Sequence, residues 1–156
     1  MFFNNPQVND PSYGWVDPTG FSPSYDILTD PDPSSYSVRV NAKSVDDGDI
    51  AVVYRVDAHA TNRDPGKIVA IARITSGPWF SRDGYAFVNW TVRCLPPERW
   101  IDSGEMKSSG LWTNRVPLSR NKQASSPVQL DEEQWGWLAP RLPASALAWL
   151  EEHTVD

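Results

Sequence analysis

Gly48-Asp49-Ile50-Ala51-Val52-Val53-Tyr54-Arg55, followed after a polar loop by Asp64-Pro65-Gly66-Lys67-Ile68-Val69-Ala70-Ile71-Ala72-Arg73-Ile74, is the stretch that decides the fold. Ile50, Val52, Tyr54 and Val56 alternate with Ala51, Val53 and Arg55, the period of two that a strand requires. Lys67 to Ile74 gives a second strand, with Ile68, Ala70, Ala72 and Ile74 expected on one face. The two alanines there leave room for a ring or another strand to come close. Between the strands, Arg63-Asp64-Pro65-Gly66 has the chemistry of a tight turn. Before them, Asp46-Asp47-Gly48-Asp49 reads as a turn and not a calcium loop, because it lacks the longer ligand spacing and the terminal Glu.

Downstream, Tyr85 to Leu95 is a third strand. Ala86, Val88, Trp90, Val92 and Cys94 make its apolar face, and Asn89, Thr91 and Arg93 share the other with Tyr85 and Phe87. Pro96-Pro97 stops it, and Glu98 to Ser103 suits a helical turn. Ser125 to Leu130 reads as a last strand. Asp131, with Gln134 three residues on, has the spacing of a capping box; Trp135 and Leu138 supply the buried side of that helix. Pro143 opens a final helix over Ala144 to Glu152, with Leu147 and Leu150 inward. Upstream, Ser34 to Val45 suits a short helix. Residues 7–35 read as a Pro-rich irregular arm anchored by Tyr13, Trp15, Phe21 and Tyr25, since each residue before a proline is pushed out of helical space. Strands in series with helices at the ends indicate an α+β domain, or a barrel with helical covers, spanning 1–156 as one unit.

Composition narrows the function. The chain has 156 residues, with eight Trp, 14 Pro and nine Gly, which favours a turn-rich, aromatic-rich fold over a helical bundle. A single cysteine, Cys94, excludes an internal disulfide and a multi-cysteine zinc site and points to a reducing, cytoplasmic setting. No apolar run approaches the roughly 20 residues of a membrane-spanning helix, and the first residues do not read as a secretion signal. The net charge is −6, which disfavours unselective phosphate binding. The charge is unevenly spread: residues 50–130 hold eleven bases against six acids, between two acidic flanks. That is either a basic face or ordinary scattered charge.

No catalytic set emerges. The two histidines, His59 and His153, have no partner at metal or triad spacing. Phosphate-loop and deaminase patterns are absent, and Cys94 sits on an apolar strand face. A binding module that needs no cofactor is the better expectation than an enzyme.

Taken together, the motifs resemble the EVE domain, a branch of the PUA-like superfamily related to YTH and ASCH domains. The resemblance rests on Gly48-Asp49 entering the first long strand and on Gly66-Lys67-Ile68-Val69-Ala70-Ile71-Ala72 in the second. It continues in Ser76-Gly77-Pro78-Trp79, in Leu95-Pro96-Pro97, in Arg120 to Ser125 and in Leu130-Asp131-Glu132-Glu133-Gln134-Trp135. Phe2-Phe3-Asn4-Asn5-Pro6 resembles the family's first strand, and Ser37 to Lys43 the segment leading into the GD turn. The likeness covers residues 1–6 and about 36–140. The chain departs from the pattern at Tyr36-Ser37, where a Trp–Asp–Gly run is usual, at Ala124, where Gly is usual, and in the length of its arm.

The resemblance implies a PUA-like mixed β-barrel with short covering helices that holds a modified base of DNA or RNA in an aromatic-lined pocket. It also implies a module that works free-standing or beside a partner nuclease, as a monomer or weak dimer away from membranes. Tyr36 and Trp79 would stack on the base, Ser37 and Val38 would offer backbone groups, and Asn4, Asn5, Asn41, Arg55, Asn121 and Gln123 would read its edge. Arg39, Arg115, Arg120 and Lys122 would contact phosphate. Each has a plainer role available: core aromatic, turn residue, or solvated charge. Two other functions stand beside base reading: a small-molecule or free-nucleotide binder on the same fold, and an enzyme acting on a base through a carboxylate pair.

Overall fold

The computed structural model describes residues 1–4, 28, 36–38, 45–55, 66–80, 86–112 and 129–154. Their strands are β1 (Phe2–Asn4), β2 (Tyr36–Val38), β3 (Ile50–Arg55), β4 (Lys67–Phe80), β5 (Ala86–Cys94) and β6 (Ile101–Asp102). The helices are α1 (Ser103–Ser108), α2 (Glu132–Leu138) and α3 (Ala144–Glu152), with 3-10 turns at Pro97–Arg99 and Ala139–Arg141. All six strands form one sheet in the order β1-β3-β4-β5-β2, with β6 added beside the start of β4. Only β1 and β3 run parallel. The architecture is α+β, as expected. The sheet is not closed into a barrel among the described residues: β1 and β2 lie at its two ends and do not pair.

β4 is the central strand. Its first half pairs with β3 from Lys67 opposite Arg55 to Arg73 opposite Ile50. On its other side it pairs with β5 from Ala70 opposite Cys94 to Phe80 opposite Ala86. Pro96 and Pro97, which lack the ladder's N–H donor, take the chain out of the sheet after Leu95. The 3-10 turn returns it as β6, opposite Lys67 and Ile68 on the same edge of β4. A central strand meets apolar surface on both faces, which explains the nearly unbroken apolar runs Ala51–Tyr54 and Ile68–Ala72. All of those residues are buried.

Two apolar clusters result, one on each face. Val52, Tyr54, Ile68 and Ile71 join Met106, Trp112, Leu138, Leu142, Ala146 and Leu150, so all three helices serve this side. Ala51, Val53, Ala70, Ala72, Ile74, Val88 and Trp90 form the second cluster. Each fully buried Leu, Ile, Val or Met contributes about 1.5–3 kcal/mol. The expected common face of Ile68, Ala70, Ala72 and Ile74 is therefore split. Val53 opposes Ala70 while Tyr54 opposes Ile68, which leaves Val69 as a bulge. One extra residue in a strand of period two sends Ile68 to the helix side and keeps Ala70 on the other.

Local chemistry sets the remaining boundaries. Asp131 accepts from the Gln134 amide at 2.8 Å, and its own amide donates to Gln134 Oε1 at 3.0 Å, closing the expected capping box. α3 begins after Pro143, as expected, and buries Ala146 and Leu150 with Leu147 partly covered. The expected helix over Ser34 to Val45 does not form at its start, because Tyr36–Val38 pairs with Val88, Phe87 and Ala86 of β5. Gln129 and Leu130 carry no strand, and the rest of the strand expected there lies outside the described residues. No helix among the described residues is long and apolar enough to cross a membrane.

Candidate functional site

The second half of β4 differs from the first. Beyond Arg73 it has no β3 partner, and its register against β5 shifts twice, between Ile74 and Ser76 and again between Ser76 and Trp79. Bulges bend a strand and re-aim its side chains. They also make room for Pro78, which cannot donate to a ladder. The edge that β3 leaves is taken by the acidic turn. Gly48 N donates to Ile74 O at 2.8 Å, Ile74 N to Asp49 O at 2.9 Å, and the Gly77 amide to the Asp47 carboxylate. Gly48 has φ 86°, in the left-handed region that glycine adopts without cost. Asp49 Oδ2 accepts from the Asp46 amide at 2.9 Å. Asp47 and Asp49 thus spend oxygens on backbone donors, the chemistry of a turn. Among the described residues no three His, Cys, Asp or Glu side chains could hold a metal ion.

Trp79 stands at the end of this bulged segment, 40% exposed. Its indole N–H donates to Asn89 Oδ1 on β5 at 3.0 Å. A buried or half-buried indole normally spends its one donor in this way, and the bond fixes the ring by its edge. The β5 residue opposite Trp79 is Phe87, and the β2 residue opposite Phe87 is Ser37. Tyr36 and Val38 flank Ser37 opposite Val88 and Ala86. The sheet therefore gathers Trp79 and Tyr36–Val38, four of the expected pocket residues, within three adjacent strands. With a strand spacing of about 4.8 Å, Trp79 and Ser37 backbones lie about 10 Å apart. β5, with Phe87 directly opposite both, lies between them.

Asn4 and Arg55 are elsewhere. They oppose each other across β1 and β3, and Arg55 also opposes Lys67 at the very start of β4, twelve residues before Trp79. The pocket set thus falls into two groups at different ends of β4. The remaining candidates, Asn5, Arg39, Asn41, Arg115, Arg120, Asn121, Lys122 and Gln123, lie outside the described residues.

Sequence reasoning passed over two features. Asn89 carries the bond that orients Trp79; its place on the polar face of β5 was legible, but its partner depended on both bulges. The second is a group of cations and tryptophans below the other end of the sheet. The Arg141 guanidinium lies 3.8 Å from the Trp137 ring centre, and Trp137 meets Trp112 edge-on at 5.2 Å. Arg99 donates to the Arg141 carbonyl at 3.2 Å, and Lys67 Nζ lies 5.9 Å from the Trp100 ring centre.

Comparison with known proteins finds no matching family model, no matching curated protein and no matching solved structure.

Proposed function

We propose that the chain is a non-catalytic module that reads a modified nucleobase in DNA or RNA, on a PUA-like fold of the EVE type. The observation that carries this reading is Trp79. It is a large aromatic left 40% exposed, held by its edge to Asn89, on the same sheet as the Tyr36–Val38 segment two strands over. A base removed from its stack needs a new π-face, worth about 1–3 kcal/mol. It also needs donors and acceptors for its edge, which the short edge strand β2 can offer from its backbone. Support comes also from the order of the EVE-like motifs, which fall on the β3 entry, the β4 strand, its bulged Ser76–Trp79 segment, the end of β5 and the α2 cap. Among the described residues the sheet is open where that family has a closed barrel, so the reading rests on motif order and on Trp79.

The test is binding of short oligonucleotides carrying methylated or hydroxymethylated cytosine or methylated adenine. Trp79→Ala should weaken binding of the preferred oligonucleotide about 5- to 150-fold, and Trp79→Phe should retain most of it. Equal binding by Trp79→Ala and wild type, both folded, would remove the reading. A free-nucleotide or small-molecule binder on the same fold is favoured by the net charge of −6, which repels a polymer of phosphates. A binding constant insensitive to salt would select that alternative.

A further inference from the structure

One face of β5 carries a row of polar side chains that begins beside Trp79. Val88 and Trp90 are buried in the second apolar cluster, with Val92 and Cys94 packed against it. Successive strand residues point to opposite faces, so Asn89, Thr91 and Arg93 share the other side. The Trp79 indole reaches that side too, because its N–H donates to Asn89 Oδ1 at 3.0 Å. The first cluster covers Ile68 and Ile71 of β4 but leaves the row partly open: Asn89 and Thr91 are half-buried and Arg93 is exposed. The end of α3 comes near the middle of the row. Arg73 stands opposite Thr91, and its Nη2 donates to the Leu150 carbonyl at 2.6 Å.

The row keeps hydrogen-bonding capacity in reserve. An indole offers a donor and no acceptor, so the Asn89 atom facing it must be the amide oxygen. The NH2 on the same carbon is then fixed close to the edge of the ring. That NH2, the Thr91 hydroxyl and the Arg93 guanidinium have no hydrogen bond or ion pair among the described residues. Arg73, in contrast, spends donors on the Gly48 and Leu150 carbonyls. The chain has 20 acids against 14 Lys and Arg, yet no described acid is set against Arg93. From Asn89 to Arg93 is four residues, about 13–14 Å of strand. A base stacked at Trp79 would bring its edge to the Asn89 NH2, with its backbone running along the row toward Arg93.

We infer that Asn89 and Arg93 complete the site at Trp79. The Asn89 NH2 donates to a ring nitrogen or carbonyl on the edge of the base, and Arg93 binds a phosphate of the same strand. This rests on the reading of Trp79 as the surface on which a base stacks. It adds what the ligand must present: an acceptor toward Asn89 and a phosphodiester toward Arg93. Asn89 thus both orients the indole and selects the base.

The experiment measures binding of single-stranded oligonucleotides of one length, carrying either the preferred base or an abasic site at the central position, across a salt series. The proteins are wild type, Trp79→Ala, Asn89→Asp, Asn89→Leu, Arg93→Gln and Arg93→Lys, each checked for folding by its melting curve. Asn89→Asp keeps the acceptor for the indole and removes the donor, so Trp79 emission should stay that of wild type. Its preference for the base over the abasic strand should nevertheless fall about tenfold. The added charge acts on both strands alike and cancels in that ratio. Asn89→Leu loses both bonds and should shift the emission as well. Arg93→Gln, an exposed change, should weaken both strands equally and flatten the log–log salt slope by about 0.7, one phosphate contact. Arg93→Lys should restore most of the slope.

A wild-type base preference in Asn89→Asp means that Asn89 only orients the indole, and overturns the inference. An unchanged salt slope in Arg93→Gln overturns it equally. In either case base reading stands if Trp79→Ala has lost the preference. A Trp79→Ala variant that binds as wild type removes base reading itself, and the inference with it. Displacement of the strand by a nucleoside monophosphate at the strand's own affinity would assign Arg93 to a free nucleotide and overturn the strand.

Discussion

Single residues here are fixed by what stands against them more than by their own preferences. Gly66 has φ +98°, and a Cβ built on it would lie 2.8 Å from Tyr54 Cε1 and 2.9 Å from the Arg55 carbonyl oxygen. The buried Tyr54 ring and the β3 backbone cannot yield together, so steric overlap adds to the cost of a left-handed backbone. Gly66→Ala should lower stability by about 3 kcal/mol, seen as an earlier urea midpoint at constant slope. An unmoved midpoint would mean that Tyr54 swings aside freely. Arg73 is placed just as firmly: Nη1 donates to Gly48 O at 2.7 Å and Nη2 to Leu150 O at 2.6 Å. The Leu150 carbonyl belongs to the last turn of α3, where unpaired acceptors and the helix dipole favour a cation.

Elements were legible where the cause was local. β3, β5, α2 and α3 follow from alternation, from Pro96-Pro97, and from the Asp131–Gln134 and Pro143 start signals, all within a few residues. β2 was misread because three residues, Tyr36–Val38, owe their strand to β5, some fifty positions away in the chain. The bulge at Val69 was invisible for the same reason: an unbroken apolar run hides an extra residue until its partner strand is known. For the candidate site only the placement of the residues can be compared. Trp79 and Tyr36–Val38 lie on the two strands that flank β5, while Asn4 and Arg55 sit at the other end of β4.

Gln134 shows how a cap can serve the whole domain. Besides closing the box it donates from Nε2 to Leu111 O at 3.1 Å, and it is 6% exposed. Asp131→Ala should cost about 1 kcal/mol, the usual value of an N-cap. Gln134→Leu should cost about 2 kcal/mol, because it also strands the Leu111 carbonyl. Equal losses in thermal or urea melts would show that the Leu111 bond carries nothing.

For the whole molecule the clearest dependence is on pH. Burial pushes the Met1 α-amino group from 8.0 down to about 5, against the opposing pull of Asp49. The unfolded amine takes a proton below about pH 8, but the folded one only below about pH 5. Between those values the unfolded state binds more protons, so stability must fall as pH drops from 8 to 5 and level off beneath. Three pH units correspond to about 4 kcal/mol. Urea midpoints measured across that window should show the fall. The same chain carrying an N-terminal Gly-Ser extension, which replaces the amine by an amide, should lose that slope; an identical slope would assign it to other groups.

The Arg73 bridge has a consequence during synthesis. Its two acceptors belong to the turn at Gly48 and to the last helix. While the chain emerges from the ribosome, the first long strands exist well before Leu150 does. Until then a guanidinium sits at the edge of an apolar cluster with half its partners missing. A product that stops short of α3 lacks the Leu150 acceptor and leaves the Ile71 face uncovered. Such a product should be cleaved faster than the full chain in limited proteolysis, because exposed apolar surface marks an incomplete fold.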